Sequence, residues 1–429
     1  MERKNKEHVI IVGLGYVGLP LSVLAVKKGY RVTGIDIVKD RVRLINNGKP
    51  HFADPVLAGQ LKRYPVHASA SYNSIREADI VLICVPTPVF KNHKPDLNPV
   101  KLASREVGKN LRKNTLVILE STYNPGTTRK IVLPLLEKHS KLKAGRDFFL
   151  SYCPERINPG DKKWNLTNLP RVIGSLNKTG LQKALKFYRS IIDAKIVPLN
   201  TLEEAEAVKV FENCFRDVNI ALVNEFARSF DCLGISFENV LKGAATKPFS
   251  MLPHYPGCGV GGQCIPVDPY YMIEFARKNG FNHSLLKTAR VINNKMPLYT
   301  VNLLQESLHK INKNLKGALI TLLGLAYKEN NGNISESPSL YLLEILKKKG
   351  AKIKIYDPHV PSYSSTENLN KSLKGADAVI LATSHSEFKI ITPRLLAELK
   401  IKILIDGRNF FNKSGFEKAG IIYRGIGRL

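Results

Sequence analysis

A glycine-rich stretch that ends in a thiol is the part of this sequence best suited to chemistry. Residues 257–271 begin with four glycines in six positions, so the backbone can adopt positive φ and lie flat against a ligand. Cys264 follows at once, and Asp268 comes four residues later. A cysteine acts as a nucleophile where its thiolate is favoured and a base is close.

The alternative for this stretch is a tight turn that contains two buried cysteines, Cys258 and Cys264. Both are isolated from other Cys and His residues, whereas a zinc site needs four ligands. No metal site is therefore predicted, and the case for a nucleophile depends on the rest of the chain.

A long helix supplies further polar side chains. The pattern of residues 201–234 predicts one helix that ends at Gly234. Lys209, Asn213 and Arg216 follow one another at spacings of four and three, so they share one face. Such a stripe is usually the solvated side of a helix. Apolar residues on the remainder predict, however, that parts of this helix are buried: Val208, Phe211, Ala221, Leu222 and Phe226. Lys209 and Asn213 are therefore candidate donors facing a site.

The start of the chain matches a dinucleotide-binding βαβ unit. Residues 8–12 form an apolar strand, residues 13–18 read Gly-Leu-Gly-Tyr-Val-Gly, and a helix runs to about residue 28. A second strand, residues 31–35, ends at Asp36. A glycine fingerprint set between a strand and a helix and followed by an acid is a specific signal for a dinucleotide.

Each residue of this unit has a distinct expected role. Gly13 makes the tight turn, Gly15 lets the pyrophosphate approach, and Gly18 lets the helix pack closely on the strand. Asp36 can accept both hydroxyls of the adenosine ribose, which predicts NAD rather than NADP. Arg41 is either a solvated helix charge or a residue over the adenine. The cofactor-binding residues are predicted to be Gly13, Gly15, Tyr16, Val17, Gly18, Asp36, Arg41, Thr87 and Thr122.

Three later apolar segments predict further strands of a parallel sheet, at residues 79–85, 115–119 and 148–153. Polar residues follow their ends, where ligands of an open α/β sheet bind: Thr87, Thr122, Glu155 and Arg156. The alternative for the threonines is ordinary turn chemistry.

The last third of the chain reads as a degenerate repeat of the first. Strands are predicted at residues 318–323, 352–356, 378–382 and 401–405, and Gly324-Leu325-Ala326-Tyr327 echoes the first fingerprint. Asp357 likewise echoes Asp36. Because the glycine pattern is lost, a second NAD is not expected, although another nucleotide would fit. Lys328 and Arg408, just past strand ends, could meet its phosphates.

Length and composition set the remaining limits. The 429 residues are enough for two or three domains, and six cysteines without a regular framework favour a reducing compartment. The net charge of +29 is spread along the chain without a nucleic-acid-binding motif, so an anionic substrate is the better explanation.

Residues 9–26 carry no charge but contain three glycines and a proline, which predicts strand, turn and helix rather than a membrane span. A cytoplasmic protein without an integral membrane segment is expected; transient contact with a membrane surface stays open.

Taken together, the motifs resemble the UDP-glucose/GDP-mannose dehydrogenase family over residues 9–411. They are residues 13–20, 85–88, 120–122, 153–160, 205–213, 257–271, 324–328 and 406–408. The resemblance implies an α/β fold of two Rossmann-like, doubly wound parallel-sheet domains joined by a central helical region with one long helix. It divides the chain into an NAD-binding domain (1–199), a central dimerisation domain with the cysteine loop (200–315) and a UDP-sugar-binding domain (316–429). It also implies a homodimer or a higher homo-oligomer.

The resemblance implies an NAD-dependent, four-electron oxidation of a sugar C6 hydroxymethyl group to a carboxylate. Cys264 would capture the aldehyde as a thiohemiacetal and then carry a thioester. Lys209 and Asn213 would stabilise the oxyanion, while Glu155, Asp268 and Thr122 would handle water and protons. The substrate-binding residues would be Arg156, Ile157, Lys209, Asn213, Arg216, Gly257, Lys328 and Arg408.

Two loops, residues 153–162 and 246–257, resemble the branch acting on UDP-N-acetylhexosamines, and UDP-N-acetylglucosamine 6-dehydrogenases more than the mannosamine enzymes. The product would be a precursor of surface polysaccharide. Two residues depart from the pattern: Gln263 stands where this branch usually has histidine, and Ser335 where an arginine is expected to bind substrate.

Four alternatives remain open. The substrate could be UDP-N-acetyl-D-mannosamine or UDP-glucose. A two-electron hydroxyacid or polyol dehydrogenase on this scaffold would not need Cys264. Finally, the departures at Gln263 and Ser335 would also fit an inactive UDP-sugar-binding protein.

Overall fold

The computed structural model describes residues 7–52, 54–88, 90, 95–157, 163–249 and 251–429. The chain forms two compact units, Met1–Glu212 and Asn213–Leu429. Each unit has its own sheet. The division into three domains stays a prediction.

The first unit is organised around an eight-stranded sheet with the spatial order β3-β2-β1-β4-β5-β6-β7-β8. The first six strands are parallel, and the order reverses between β1 and β4, which defines the switch point of a doubly wound sheet. Its strands are β1 (His8–Val12), β2 (Arg31–Ile35), β3 (His67–Ser69), β4 (Ile80–Ile83), β5 (Leu116–Leu119), β6 (Phe149–Tyr152), β7 (Arg171–Ser175) and β8 (Ile196–Pro198).

One strand of this sheet reverses direction. β7 runs antiparallel to β6, with Ser151 opposite Ser175 and Tyr152 opposite Gly174. The first residues of β7 therefore lie at the edge where β4, β5 and β6 end. Helices cover both faces of the sheet, as buried parallel strands require: α1 (Gly18–Lys27), α2 (Lys39–Asn46), α3 (Pro55–Arg63), α4 (Asn98–Asn110), α5 (Leu133–Ser140) and α6 (Lys178–Ile191).

One long helix, α7 (Leu202–Cys232), contains the boundary between the two units. Its start is capped by Thr201, whose Oγ1 accepts from the backbone N–H of Glu204 at 3.1 Å. It is followed by Gly234, which has φ +70°. The helix predicted over residues 201–234 is therefore present.

The second unit contains a parallel five-stranded sheet with the order β10-β9-β11-β12-β13. Its strands are β9 (Leu319–Leu323), β10 (Lys352–Tyr356), β11 (Ala378–Leu381), β12 (Ile403–Asp406) and β13 (Ile422–Gly425). Its further helices are α8 (Phe237–Ala244), α9 (Asp268–Lys278), α10 (Ser284–His309), α11 (Pro338–Lys348), α12 (Leu369–Leu373), α13 (Pro393–Glu398) and α14 (Lys413–Lys418).

These two sheets confirm the predicted fold class. Every predicted strand is present within two residues at each end, because runs of Val, Ile and Leu fill the buried strands. Among the described residues, no helix is both long enough and apolar enough to cross a membrane.

Parts of α7 are buried, as predicted, but most of the apolar residues that suggested this burial are exposed. Of its apolar residues, Ala221 is buried, but Phe211 is 70% exposed, Leu222 49% and Phe226 42%. With Phe215, at 42%, the three exposed residues follow spacings of four and seven. They form an apolar stripe along the helix that the described residues leave exposed.

Candidate active site

The predicted cofactor turn has three glycines with three different surroundings. A Cβ on Gly13, which has φ +94°, would lie 2.8 Å from the carbonyl oxygen of Cys84. A Cβ on Gly18 would lie 1.9 Å from the carbonyl oxygen of Gly13. At Gly15 nothing lies within 4 Å, so this side of the turn is open to a ligand. Two glycines thus allow tight packing and the third leaves room.

Asp36 is buried directly after β2 and braces the same turn. Its Oδ2 accepts from the backbone N–H of Leu14 at 2.9 Å, and its Oδ1 accepts from Val38 N–H at 3.0 Å. Arg41 makes an ion pair with Asp36 at 2.7 Å, so this arginine is not a solvated helix charge. The carboxylate keeps acceptor capacity on Oδ1, as a ribose hydroxyl would need.

The other predicted cofactor residues surround this turn or follow neighbouring strands. Tyr16 is 58% exposed, with its ring centroid 4.2 Å from that of Phe52, and Val17 directly precedes α1. Thr87 follows β4, and Thr122, half-buried, follows β5. Open turn, helix N-terminus and acid together fit a dinucleotide, whose phosphates bind helix N-termini.

Glu155, Arg156 and Ile157 follow β6 in the first unit. The Glu155 Oε1 accepts the backbone N–H groups of both Arg156 and Ile157. The Arg156 side chain pairs with Glu212 of α7 through two hydrogen bonds and donates to the carbonyl of Pro170 at 2.9 Å. Residues 158–162, the rest of this motif, lie outside the described residues.

The second unit joins Asn213, Asp268 and the backbone of Cys264. Asn213 and Asp268 are buried, and the Asn213 Nδ2 donates to the Asp268 Oδ2 at 2.5 Å. The Asp268 backbone N–H donates to the carbonyl of Cys264 at 2.8 Å, which closes a turn at the start of α9. The cysteine side chain is exposed. The backbone of the residue that carries the exposed thiol is thereby linked to a buried carboxylate and an amide donor.

Exposure separates Cys264 from most other cysteines. Cys84, Cys153, Cys214 and Cys258 are buried, whereas Cys264 and Cys232 are exposed. Burial raises the pKa of Cys153 and of Cys214 to about 12, which keeps both thiols protonated.

The glycine loop packs against the connection between β9 and α11. A Cβ on Gly261 would lie 2.6 Å from the Cβ of Tyr327, and one on Gly262 would lie 2.9 Å from its ring. Only glycine permits this approach. The Gln263 Nε2 lies 3.4 Å from the Ser335 Oγ, so the two residues that depart from the family pattern contact each other.

Gly257 and Arg408 are neighbours at the other end of this loop. A Cβ on Gly257 would lie 2.7 Å from an Arg408 guanidinium nitrogen, and its N–H donates to Asn224 at 3.0 Å. Arg408 is half-buried, and its Nε donates to the carbonyl of Ala382 at 2.8 Å. Lys328, also half-buried, follows Tyr327 directly.

The three polar residues of α7 do not share one environment. Lys209 is half-buried, Asn213 is buried and Arg216 is exposed. The shared face predicted from spacing alone therefore contains both buried and exposed side chains.

Asp357 occupies the position of Asp36 in the second sheet but has other partners. Its Oδ2 accepts from the backbone N–H groups of Leu325 and Ala326 and from the imidazole of His385 at 3.1 Å. Burial acts to raise the pKa of this carboxyl, but these hydrogen bonds outweigh it and lower the pKa to about 2. Among the described residues, the Asp357 Oδ1 accepts only the backbone N–H of His359 at 2.8 Å, so the two aspartates differ at Oδ2, where a histidine stands in place of the arginine that pairs with Asp36.

Sequence reasoning gave no role to a group of residues around Glu155, although one of them, Glu120, lies in the motif at residues 120–122. Arg171, Glu120 and Tyr188 form a buried cluster with Glu155. Glu120 follows a predicted strand, which was a usable signal, but Arg171 begins a strand that the pattern did not predict.

Sequence models of three domains match the chain in order. They describe the UDP-glucose/GDP-mannose dehydrogenase family: its NAD binding domain at residues 7–192, its central domain at 203–295 and its UDP binding domain at 321–413.

Two relatives and one solved structure illustrate the similarity. UDP-N-acetyl-D-mannosamine dehydrogenase of Pyrococcus horikoshii is 37% identical over 425 residues, 98% of this chain and 99% of that protein. UDP-N-acetyl-D-glucosamine 6-dehydrogenase of Pseudomonas aeruginosa is 37% identical over 389 residues, 89% and 91% of the two chains. The structure of the UDP-D-ManNAc dehydrogenase from P. horikoshii has a TM-score of 0.92 at 37% identity and covers 98% of this chain and 99% of its own.

Proposed function

Because this chain belongs to the UDP-glucose/GDP-mannose dehydrogenase family and is an NAD-dependent oxidoreductase, we propose that it oxidises the C6 hydroxymethyl group of a UDP-N-acetylhexosamine to a carboxylate. One observation carries the proposal beyond the family: the exposed Cys264 lies on a turn that is bonded to a buried Asp268–Asn213 pair. A two-electron dehydrogenase has no need for such a thiol.

The proposed chemistry at Cys264 divides a difficult oxidation into simpler steps. NAD supplies the hydride acceptor for both oxidations. The Cys264 thiolate adds to the C6 aldehyde and gives a thiohemiacetal, and loss of a second hydride leaves a thioester. Water then attacks the thioester carbon, the C–S bond breaks, and the uronate and the free thiol are released.

The polar groups that these steps need are proposed to come from the residues predicted for the site. The Asn213 amide carries two hydrogens, so one can bond Asp268 while the other donates to the developing oxyanion. Lys209, one helical turn earlier, is proposed as the second donor. Asp268 is proposed to take protons from the thiol or from water. Thr122 and Glu155 are proposed to position the water.

Cations of the second unit are proposed to bind the UDP group. Arg408 lies beside Gly257, where a Cβ would be too close to its guanidinium, and Lys328 follows the tyrosine that packs on the same loop. Arginine and lysine at strand ends are suited to a diphosphate. Arg156, Ile157 and Arg216 are proposed to contact the sugar.

The N-acetyl sugar is proposed to be UDP-N-acetyl-D-glucosamine, because residues 153–162 and 246–257 resemble that branch. A second candidate is its C2 epimer, UDP-N-acetyl-D-mannosamine. It is favoured by the greater extent of the similarity to the P. horikoshii enzyme, 98% of this chain against 89% for the P. aeruginosa enzyme. Either product would be a precursor of surface polysaccharide.

We also propose that the protein is a homodimer. The apolar stripe of α7 (Phe211, Phe215, Leu222, Phe226) is a large exposed patch of the kind that marks protein interfaces. Light scattering coupled to gel filtration tests this. Replacing Phe211 by Ser should shift the protein toward the monomer.

The deciding experiment for the function is a panel of UDP-sugars with NAD. The reaction with each sugar is run to completion. The NADH formed is measured by its absorbance and divided by the amount of sugar consumed. Two molecules of NADH per sugar are expected, with UDP-N-acetyl-D-glucosamine as the preferred substrate. One NADH per sugar would contradict the thioester route, and no NADH with any UDP-sugar would favour an inactive binding protein.

A further inference from the structure

The antiparallel strand β7 brings an arginine to the edge of the sheet where ligands bind. In a parallel sheet the first residue of a strand lies at the opposite edge from the strand ends. Because β7 runs antiparallel to β6, its first residue, Arg171, lies instead beside the ends of β5 and β6. The chain thereby places a cation beneath Glu155.

Arg171 is shared between two carboxylates. Its side chain is 3% exposed, and its two terminal nitrogens donate to the Glu155 Oε2 at 2.7 Å and to the Glu120 Oε2 at 3.1 Å. Tyr188 of α6 donates its hydroxyl hydrogen to the other oxygen of Glu120, and its ring lies 5.5 Å from the guanidinium. The arginine and the two carboxylates form a network of charge-assisted hydrogen bonds, in which the side chains have little freedom to change position.

The hydrogen bonds of Glu155 leave little of its carboxylate free. Oε1 accepts two backbone N–H groups, those of Arg156 and Ile157, and Oε2 accepts from Arg171. Its side chain is 12% exposed. With no further donor among the described residues, one lone pair of Oε2 remains for a ligand or a water molecule.

Other titratable groups around the network carry little charge. Burial raises the pKa of the Cys153 and Cys84 thiols and of the Tyr188 hydroxyl, so these stay neutral. Burial also raises the pKa of Glu120, against the opposing effects of Arg171 and Tyr188. The neighbouring Arg156 is neutralised by Glu212. Among the described residues, Glu120 is therefore the group beside Arg171 whose charge can vary.

We propose that Arg171 and Glu120 are positioning residues for Glu155: Arg171 holds its carboxylate as an oriented anion, and Glu120 competes with it for the arginine. Glu155 then orients water or substrate by accepting a hydrogen bond from them and does not remove their protons. The functional part of this inference rests on the proposed role of Glu155 in the oxidation.

Three variants test the charge of the network through the acid limb of the kcat/KM profile, which reports groups of the free enzyme. Glu120→Gln keeps the shape and removes the competing negative charge. The acid limb should move to lower pH by about one unit. Arg171→Met removes the shared cation and should move the limb to higher pH by at least as much. Arg171→Lys should restore most of the wild-type profile.

A matched control removes a similar charge elsewhere. Asp231, near the end of α7, accepts two hydrogen bonds from Arg424, and both side chains are largely buried. Asp231→Asn should leave the acid limb in place. If Glu120→Gln and Arg171→Met lower the amplitude of the profile without moving its limb, the network is only structural and the proposal is wrong.

A second measurement does not depend on turnover. Hydrogen exchange followed by mass spectrometry reports the amides of Arg156 and Ile157, which Glu155 protects. Arg171→Met should speed their exchange, while Glu120→Gln, which is expected to fold even if Arg171→Met does not, should leave it slow. Fast exchange in Glu120→Gln or unchanged exchange in Arg171→Met would overturn the proposed anchoring. If the wild type oxidises no UDP-sugar, the proposed function fails while this measurement still decides whether Arg171 holds Glu155.

Discussion

Asn213 and Asp268 are joined by a hydrogen bond of 2.5 Å between Nδ2 and Oδ2, although 55 residues separate them in the chain. The bond connects α7 to the first residue of α9, and both side chains are buried. It fixes the backbone that carries Cys264, because the Asp268 N–H closes the turn onto the Cys264 carbonyl. The hydrogen bond gives the carboxylate a fixed orientation, four residues after the thiol that is proposed as the nucleophile.

Replacing Asp268 by Asn should therefore lower kcat far more than it raises KM. The amide retains an oxygen that can accept from Asn213 but has no basic group, and general acid–base catalysis typically contributes about 100- to 10,000-fold. Steady-state kinetics with thermal unfolding as the control separate the roles. A variant with unchanged kcat and a lower melting temperature would show that Asp268 only braces the turn.

Cofactor preference should follow Asp36. Its carboxylate would repel a 2′-phosphate, and like charges brought together cost several kcal/mol, so kcat/KM for NAD should exceed that for NADP by about 100-fold or more. Because Arg41 neutralises part of this charge through its 2.7 Å ion pair, Arg41→Ala should widen the preference. Equal kcat/KM values for NAD and NADP in the wild type would remove the ribose role from Asp36.

The sequence predicted the features that depend on residues close together in the chain. It missed the contacts between residues that are far apart in the chain. The glycine turn and Asp36 were accessible because a single βαβ unit contains them. The hydrogen bond between Asn213 and Asp268 could not be predicted. Spacing identified each residue as a candidate, but nothing in the sequence shows that α7 contacts the start of α9. Arg171 was missed for a related reason: its role depends on an antiparallel strand pairing. The apolar residues of α7 correctly predicted that parts of the helix are buried. They did not predict that Phe211, Leu222 and Phe226 themselves are exposed, because apolar residues do not say whether the surface that covers them belongs to the same chain.

Stability should depend on the protonation of Glu206 on α7. This carboxylate is buried and accepts the backbone N–H groups of Gly126 and Thr128. Burial raises its pKa to about 7, although those hydrogen bonds act to lower it. An unfolded glutamate titrates near pH 4.3, so the folded state binds this proton more tightly. The resulting stabilisation is complete below about pH 4.3 and is lost as the pH rises to about 7.

Urea unfolding of the wild type and of Glu206→Gln isolates this contribution. Between pH 4 and pH 8 the wild type should lose about 3 kcal/mol relative to the variant, since each pKa unit corresponds to about 1.4 kcal/mol. Parallel pH dependence in the two proteins would mean that Glu206 keeps an ordinary pKa.

The KM for the UDP-sugar should depend on Arg408. Loss of a hydrogen bond to a charged group costs about 1.5–3 kcal/mol, so Arg408→Ala should raise the KM for the UDP-sugar by about 10- to 100-fold. The KM for NAD should hardly change. The sugar KM of Arg408→Lys should lie between those of the wild type and Arg408→Ala, because an ammonium keeps the charge but lacks the planar guanidinium group. An unchanged sugar KM in Arg408→Ala would mean that this arginine serves only its neighbours, Ala382 and Gly257.

Cys264 decides between the thioester route and every alternative without a covalent step. Incubated with UDP-N-acetyl-D-glucosamine and NAD, Cys264→Ser should reduce some cofactor and retain the sugar nucleotide, because an alkoxide leaves an ester far more slowly than a thiolate leaves a thioester. Cys264→Ala should hold no adduct. Intact-protein mass spectrometry should therefore show the added mass on the serine variant alone. Cys232→Ala is the matched control, since that thiol is also exposed, and it should turn over like the wild type. Full turnover by both Cys264 variants, with two molecules of NADH per sugar, would make Cys264 a turn residue and refute the proposed mechanism even with the substrate correct.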